Sequence, residues 1–577
     1  MRILLISFFL FSQSTFSQQS YIDYQSPFHP VVSNSGMVVS QNYLSSDIGI
    51  EILNQGGNAI DAAVAVGFSL AVTLPRAGNL GGGGFMMVYI KDREEIFYID
   101  YRSKSPLNSS INKIFEIASS KNFKPKDFTN DMFNATRYGY KAPAVPGTVA
   151  GLIEAHQRFG KLPLQEVLKP VIKQAKNGIK VSYDLHKAIA DTHQLKSDPE
   201  SSLIFFKNGK AIAEHSIFKR PDLARTLTHI SERGKDGFYK GEVAQLIVDS
   251  MNKNGGMISL DDLGNYKATF SDPLVASYRG NLVFTSGPPS GGGITLITAL
   301  NILSYFDLKK FKSDSALTYH LLSESIRRGH NNRSHYVGDP DYFDVPVDKL
   351  LGKSRIEHLV KSIDLKKATK STVVKPFELV EESRDTTHYS IVDSDGNAVS
   401  NTYTLGYSFG SGVTIPGTGI LMNNQMNNFA YRHGDDSIRG RSASTGNRFE
   451  PGKKPMSTMA PTIIFDENGD LFLITGSPGG SLIPAAILRV ITGVIDFNLD
   501  IGQATMLPRV HKDWPTTGIL YERTLNADSL KGIRKIGHKV TPEHTMGSTQ
   551  SIHVINGINY GYADLRRPNA AVSIQVN

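Results

Sequence analysis

Two threonines stand side by side at positions 386 and 387, in the run ESRDTTHYSIVD (residues 382–393), where a polar stretch gives way to an alternating one. A threonine hydroxyl is a weak nucleophile until a base takes its proton, and a threonine that begins a chain carries such a base in its own α-amine. That amine titrates at about 7.7–8.0, so a useful fraction is neutral at physiological pH. To expose it in mid-chain, the peptide bond between Asp385 and Thr386 must be cut. The plainer reading is that a β-branched residue simply begins a strand. Residue type and spacing leave both readings open.

Other chemistries fail on their own requirements. GNLGGGGF (residues 78–85) lacks the Lys and Ser/Thr of a phosphate-binding loop, and no acidic residue follows where a dinucleotide site needs one; it reads as a glycine-rich turn. GYSFG (406–410) matches a nucleophile elbow, but SGVTIPGTG after it is not the helix that elbow requires. No H-E-x-x-H occurs, and His330 and His335 lie at the wrong helical spacing to meet on one metal. Cysteine is absent, which excludes disulfides, a thiolate nucleophile, thiolate zinc sites and a lipid-bearing cysteine.

The elements that must position Thr386 follow from patterning. Residues 46–72 have helical spacing broken at Gly56 and Gly57, and the second part, apolar nearly all round, predicts a buried helix. The glycine cluster near 81–84 leads into two alternating runs joined by a charged turn, a β-hairpin ending at Arg102. Residues 149–330 read as mostly helical, with SGPPSGGGITLITALNIL (286–303) opening one of those helices. The Lys/Glu/Ser/Thr-rich stretch 364–385 reads as an exposed linker. Beyond it, alternating runs separated by Asp, Asn and Gly turns predict strands. A helix-rich front thus meets a strand-rich back at the paired threonines.

A chain of 577 residues, 40% hydrophobic, can bury a large core. Arg2, the apolar run Ile3–Phe11 and the small polar residues around Ser17 have the layout of a signal peptide over residues 1–17. No run reaches the roughly 20 apolar residues of a membrane span. A soluble periplasmic or secreted protein is expected. The net charge of +8 is spread over 62 basic and 54 acidic residues in short clusters, which reads as solvated faces and predicts no nucleic-acid partner.

The text around the threonines decides between their two readings. TTHYSIVDSDGNAVSNTYTL, GILMNNQMNNF, KPMSTMAPTIIF, TGSPGGS and MGSTQSI, in this order, resemble the small subunit of γ-glutamyltransferases. GGNAIDAAVAV, AGNLGGGGFM, AVPGTVAGL and GPPSGGG resemble the large subunit. The resemblance implies an α+β N-terminal nucleophile hydrolase, a four-layer αββα sandwich. Its single precursor cuts itself into a large subunit (18–385) and a small one (386–577) that stay together as a heterodimer. It implies that Thr386 serves as nucleophile twice, against the carbonyl of Asp385 and then against substrate. Arg102 matches the arginine that clamps the substrate α-carboxylate, as a guanidinium fork can. Ser457 and Thr458 match paired hydroxyls on the same carboxylate, Thr404 a second threonine against the nucleophile, and Gln425 a contact to the α-amine. Gly479 and Gly480 match the oxyanion-hole glycines, whose amides approach closely for want of a Cβ. Implied substrates are glutathione or other γ-glutamyl compounds, with water, an amino acid or a peptide as acceptor and no cofactor or metal.

Two positions depart from the family pattern at one end of the substrate. NNQMNNF carries Asn428, with Asn427 beside it, where the family has the Asp that pairs with the α-ammonium, and Gly406 replaces an Asn. Loss of a charge-assisted hydrogen bond weakens glutamyl binding and penalises a glutaryl group less, since glutaryl lacks the ammonium. The alternative activity is therefore a same-fold acylase releasing glutaryl or related groups. A non-catalytic secreted binding module, which requires Thr386 to stay in mid-chain, is the reading from another class. Arg432, Arg439 and Arg441 fall in the segment expected to form a lid, either solvated or favouring an acidic substrate.

Overall fold

A computed structural model describes residues 26–116, 134–370, 378–379, 385–431, 439–440, 444–516 and 518–576. Apolar alternation with turn residues between runs produces the strands that matter. Those before the Asp385–Thr386 bond are β1 (Val31–Ser33), β2 (Met37–Ser40), β3 (Gly83–Ile90), β4 (Glu95–Tyr101), β5 (Thr269–Ser271), β6 (Leu274–Tyr278) and β7 (Asn281–Thr285). Those after it are β8 (Thr387–Val392), β9 (Ala398–Thr404), β10 (Thr462–Phe465), β11 (Leu471–Thr475), β12 (Gln550–Ile555), β13 (Ile558–Ala563) and β14 (Ala571–Ile574). They form two seven-stranded antiparallel sheets, ordered β1-β13-β12-β11-β10-β7-β6 and β14-β2-β8-β9-β3-β4-β5. Each sheet takes strands from both sides of that bond, so neither half of the chain can complete a sheet alone.

In β3, Phe85, Met87 and Tyr89 face the other sheet while Met86 and Val88 face helices. One helix layer holds α1 (Tyr43–Asn54), α2 (Ala59–Thr73), α3 (Thr148–Phe159) and α4 (Leu164–Asn177). On the far side lie α5 (Gly291–Leu303), α6 (Ala316–Tyr336) and α7 (Ile483–Ile495), completing the αββα sandwich. As its composition predicts, α2 is buried along its whole length, and an Asn58–Asp61 capping box starts it. Tyr389 of β8 and Tyr403 of β9 donate to the carbonyls of Ala63 and Gly67, fixing α2 across the two strands that flank the threonines.

The hairpin ending at Arg102 is present, and the turns DSDGN, DENGD and ING join β8–β9, β10–β11 and β12–β13. Residues 149–330 are less uniformly helical than their sequence predicts, because they contain β5 and the β6–β7 hairpin. That hairpin turns at Arg279 and Gly280, both at positive φ (53° and 87°). Of the expected linker, 364–370 is exposed or half-buried, while 371–377 and 380–384 lie outside the described residues. The expected signal segment 1–17, Arg432 and Arg441 lie outside them too; residues 439–440 pair in parallel with 378–379. No described helix is long and apolar enough to cross a membrane.

Candidate active site

Thr386 immediately precedes β8, whose Thr387 pairs with Tyr403 of β9. Strand pairing therefore brings Thr386 beside Thr404, the last residue of β9, and both are buried. The Thr404 hydroxyl donates to the carbonyl oxygen of Asp385 at 2.8 Å and accepts from the Gly406 amide at 2.9 Å. Expected against the hydroxyl of Thr386, it lies in the uncut chain on the carbonyl of the Asp385–Thr386 bond. Gln425 is fully buried behind it, donating to the Thr404 carbonyl at 2.9 Å rather than lining the cavity.

A residue the sequence did not single out holds the other side of the bond. Arg76 reaches the Asp385 carboxylate at 3.0 Å and Asp184 at 3.5 Å. Burial opposes its charge, yet the two carboxylates hold its pKa above the ordinary arginine value.

Gly479 (φ 133°) and Gly480 (φ 57°) adopt backbone conformations that a side chain would strain. The MGST segment braces their loop: Ser548 donates its amide to the Ser477 hydroxyl, which donates to the Pro478 carbonyl. The loop runs through a short turn at Gly480–Leu482 into α7, so the N-terminal end of that helix dipole lies beside the two glycines and favours negative charge there.

Arg102 follows β4 fully buried, its Nε and Nη2 donating to the carbonyls of Pro455 (3.1 Å) and Met456 (3.3 Å). This seats its guanidinium against the loop bearing Ser457 and Thr458. The GPPSGGG turn supports that loop from below: the Gly291 amide donates to the Ser457 carbonyl, and a Cβ on Gly292 would lie 2.2 Å from the Thr458 carbonyl oxygen.

Thr386, Thr404, Arg102, Ser457, Thr458 and Gly480 share one cavity with Asn428 and Gly406. Its volume is only ≈ 30 Å³, room for about two waters, with the Asp385 side of the bond still in place. Its charged described lining residues are Arg102 and Arg333, the second supplied by α6 and unanticipated from sequence; no carboxylate, imidazole or lysine is among them. His388, the histidine nearest to Thr386 in sequence, is fully buried and bonds the hydroxyls of Thr402 and Ser390. Burial pushes its pKa down to about 3, so it stays neutral and engaged. A far larger cleft of ≈ 780 Å³ lies among the turns at the other ends of β8, β10 and β12. It holds none of the predicted site residues, so volume alone does not identify the reactive centre.

The two departures have structural content. Asn428 is 7% exposed, and its Oδ1 has no hydrogen-bond partner among the described residues. Gly406 sits at φ 104°, and a Cβ there would lie 2.0 Å from Asn424 Oδ1, which accepts the Tyr407 amide. The space of the missing family side chain is thus already filled.

The family model described as gamma-glutamyltranspeptidase matches residues 45–574. A glutathione hydrolase proenzyme of Escherichia coli (strain K12) is 39% identical over 547 residues, covering 93% of this chain and 92% of that protein. An acylase ACY 1 proenzyme of Pseudomonas sp. (strain SE83) is 34% identical over 513 residues, 89% of this chain and 88% of the acylase. Among solved structures, a cephalosporin acylase from Bacillus halodurans superposes with a TM-score of 0.83 at 27% identity, covering 97% of this chain and 99% of the other.

Proposed function

The chain belongs to the gamma-glutamyltranspeptidase family, and from that premise we propose that it is an autoprocessed γ-glutamyltransferase and glutathione hydrolase acting through Thr386. The observation that carries this reading is the composition of the cavity. It joins a hydroxyl nucleophile to two guanidiniums without a base among its described lining residues, and cutting the Asp385–Thr386 bond supplies one.

In the precursor, Thr386 Oγ attacks the Asp385 carbonyl carbon, with Thr404 Oγ, 2.8 Å from the carbonyl oxygen, stabilising the developing oxyanion. The Oγ proton passes to the Thr386 nitrogen as the C–N bond breaks, the acyl group moves to Oγ as an ester, and water hydrolyses it. The products are a carboxylate on Asp385 and a free amine on Thr386. The chain thereby divides into a large subunit (18–385) and a small subunit (386–577), held together by the sheets they share.

In the mature enzyme the Thr386 amine takes the proton from Oγ, which attacks the γ-carbonyl of glutathione or a related amide. The amides of Gly479 and Gly480 hold the oxyanion, and the α-ammonium returns the proton to the departing amine. Water then resolves the acyl-enzyme in hydrolysis; an amino acid or peptide resolves it in transfer. Arg102, Ser457 and Thr458 hold the substrate α-carboxylate, and Asn428, with Gln425 close behind, meets its α-ammonium. The leader-like residues 1–17 support export to the periplasm or medium.

A second reading rests on Asn428. With a neutral amide in place of the family carboxylate, the pocket suits a glutaryl amide as well as a γ-glutamyl one, and acylases are among the similar proteins. The test is kcat/KM for γ-glutamyl-p-nitroanilide against glutaryl-p-nitroanilide, with Thr386→Ala as blank. Preference for γ-glutamyl supports the first reading and preference for glutaryl the second. Turnover equal to the blank on both overturns the proposal.

A further inference from the structure

On α6, one turn before Arg333, the His330 imidazole meets a segment from late in the chain. Its Nδ1 lies 3.5 Å from Asp513 Oδ1, and His511 Nε2 lies 3.8 Å from Asp513 Oδ2. The two rings stand nearly perpendicular, 85° apart, with centroids 5.1 Å from each other. One ligand atom from each of the three residues falls within 4.8 Å of the others. Both histidines are buried, at 0% and 1% exposure, and none of their four ring nitrogens makes a well-formed hydrogen bond among the described residues. Buried polar groups in folded proteins are nearly always satisfied.

A second His/Glu cluster, with its binding capacity already used, provides the contrast. His320 and His538 bond each other at 2.7 Å, and Glu324 is occupied by Arg328 and by Lys512, whose Nζ is 2.8 Å away. In the first cluster Asp513 Oδ1 accepts the Trp514 amide at 2.8 Å, and the two imidazoles approach the carboxylate only to 3.5 and 3.8 Å. Four-coordinate bonds of about 2.0–2.1 Å to nitrogen and oxygen set ligand atoms roughly 3.3–3.4 Å apart, so the three ligand atoms, now within 4.8 Å of one another, draw in by up to about 1.5 Å on binding. Two neutral imidazoles and one carboxylate form a borderline donor set, suited to zinc and its late first-row neighbours more than to magnesium or calcium. The Arg333 guanidinium places a positive charge near the ring of His330, which the Asp513 carboxylate and the Ser481 backbone offset.

We propose that His330, His511 and Asp513 bind one divalent ion of the zinc class, tying α6 to the segment 511–513. The inference is independent of the catalytic reading, since none of the three residues lines the nucleophile cavity.

The chain has one tryptophan, Trp514, directly beside Asp513, which gives a readout apart from activity. Chelator-stripped protein is titrated with Co²⁺ while tryptophan emission is followed, then competed with Zn²⁺. Zinc retained through gel filtration is measured for wild type, His511→Gln and Asp513→Asn. The expected result is quenching by Co²⁺ reversed by Zn²⁺, about one zinc per wild-type chain, and at least a roughly tenfold loss of zinc affinity in each variant. Wild-type protein that retains no zinc after saturation, or variants that retain as much as wild type, overturns the proposal. If either variant fails to fold, the zinc content of the wild type decides.

Discussion

Replacing Asn428 by Asp isolates the contribution of a single charge. The residue lines the cavity at 7% exposure, and its Oδ1 has no hydrogen-bond partner among the described residues, so nothing there competes with the substrate ammonium for that atom. A carboxylate about 3 Å from an ammonium gains roughly 5–6 kcal/mol of Coulomb energy at an effective dielectric near 20. Most of that is lost to desolvation in so buried a place. The surplus over the present neutral acceptor is the difference between a charge-assisted and an ordinary hydrogen bond, about 1–1.5 kcal/mol. That corresponds to roughly a five- to thirteenfold gain in kcat/KM for the γ-glutamyl substrate. Glutaryl has the same carboxylate and no ammonium, so its kcat/KM should stay level or fall. The ratio of the two p-nitroanilide rates is the assay, because it cancels differences in folding and processing between preparations. A ratio unchanged in Asn428→Asp, or shifted towards glutaryl, would mean that Asn428 does not face the ammonium.

Three further outcomes follow from the geometry. Thr404→Ala removes the donor 2.8 Å from the Asp385 carbonyl and should slow precursor cleavage by about 10²–10³-fold on a gel time course, with Thr404→Ser close to wild type; an Ala variant that processes at the wild-type rate refutes this. Gly406→Asn, although it restores the family residue, should lower Tm without raising γ-glutamyl activity, since φ 104° costs a side chain about 1–2 kcal/mol and Asn424 fills the space; recovered activity at unchanged Tm is the contrary result. Burial holds His388 and His553 at about 3 in the fold, against about 6.5 unfolded, so between those values the unfolded chain binds more protons and stability rises with pH. Stability is therefore lost on acidification from about pH 6.5 downward, by up to about 1.4 kcal/mol per unit for each histidine, and the urea midpoint should drop from pH 7 to about pH 5, less steeply in His553→Phe; equal slopes in the two proteins would contradict that assignment.

Local signals in the sequence carried much of this architecture. The unbroken apolar composition of α2 foretold a helix buried on all sides, and DSDGN, DENGD and ING each marked a true hairpin turn. The β6–β7 hairpin was legible in principle, from the alternation in LVASYRGNLVFT around an Arg-Gly turn, but flanking helical periodicity obscured it. Thr386 emerged as the proposed nucleophile from motif order rather than from chemistry, because a paired threonine is ordinary at a strand start. Long-range pairing remained hidden. Nothing near Arg76 signals that it will clasp Asp385, nor does any spacing around His330 point to His511 and Asp513, since those contacts exist only once the sandwich closes. Helical spacing sets His330 apart from His335 as a metal pair. It cannot foretell that the partners of His330 arrive from another element.

The central claim is that Thr386 cuts its own chain and then catalyses with the amine it exposes. Intact-mass and N-terminal analysis of purified wild type and Thr386→Ala tests it most directly. Two wild-type fragments are expected, the second beginning at Thr386, and a single uncut chain for Thr386→Ala. Cleavage after Asp385 in that variant, or an uncut wild-type chain with full hydrolase activity, would contradict it.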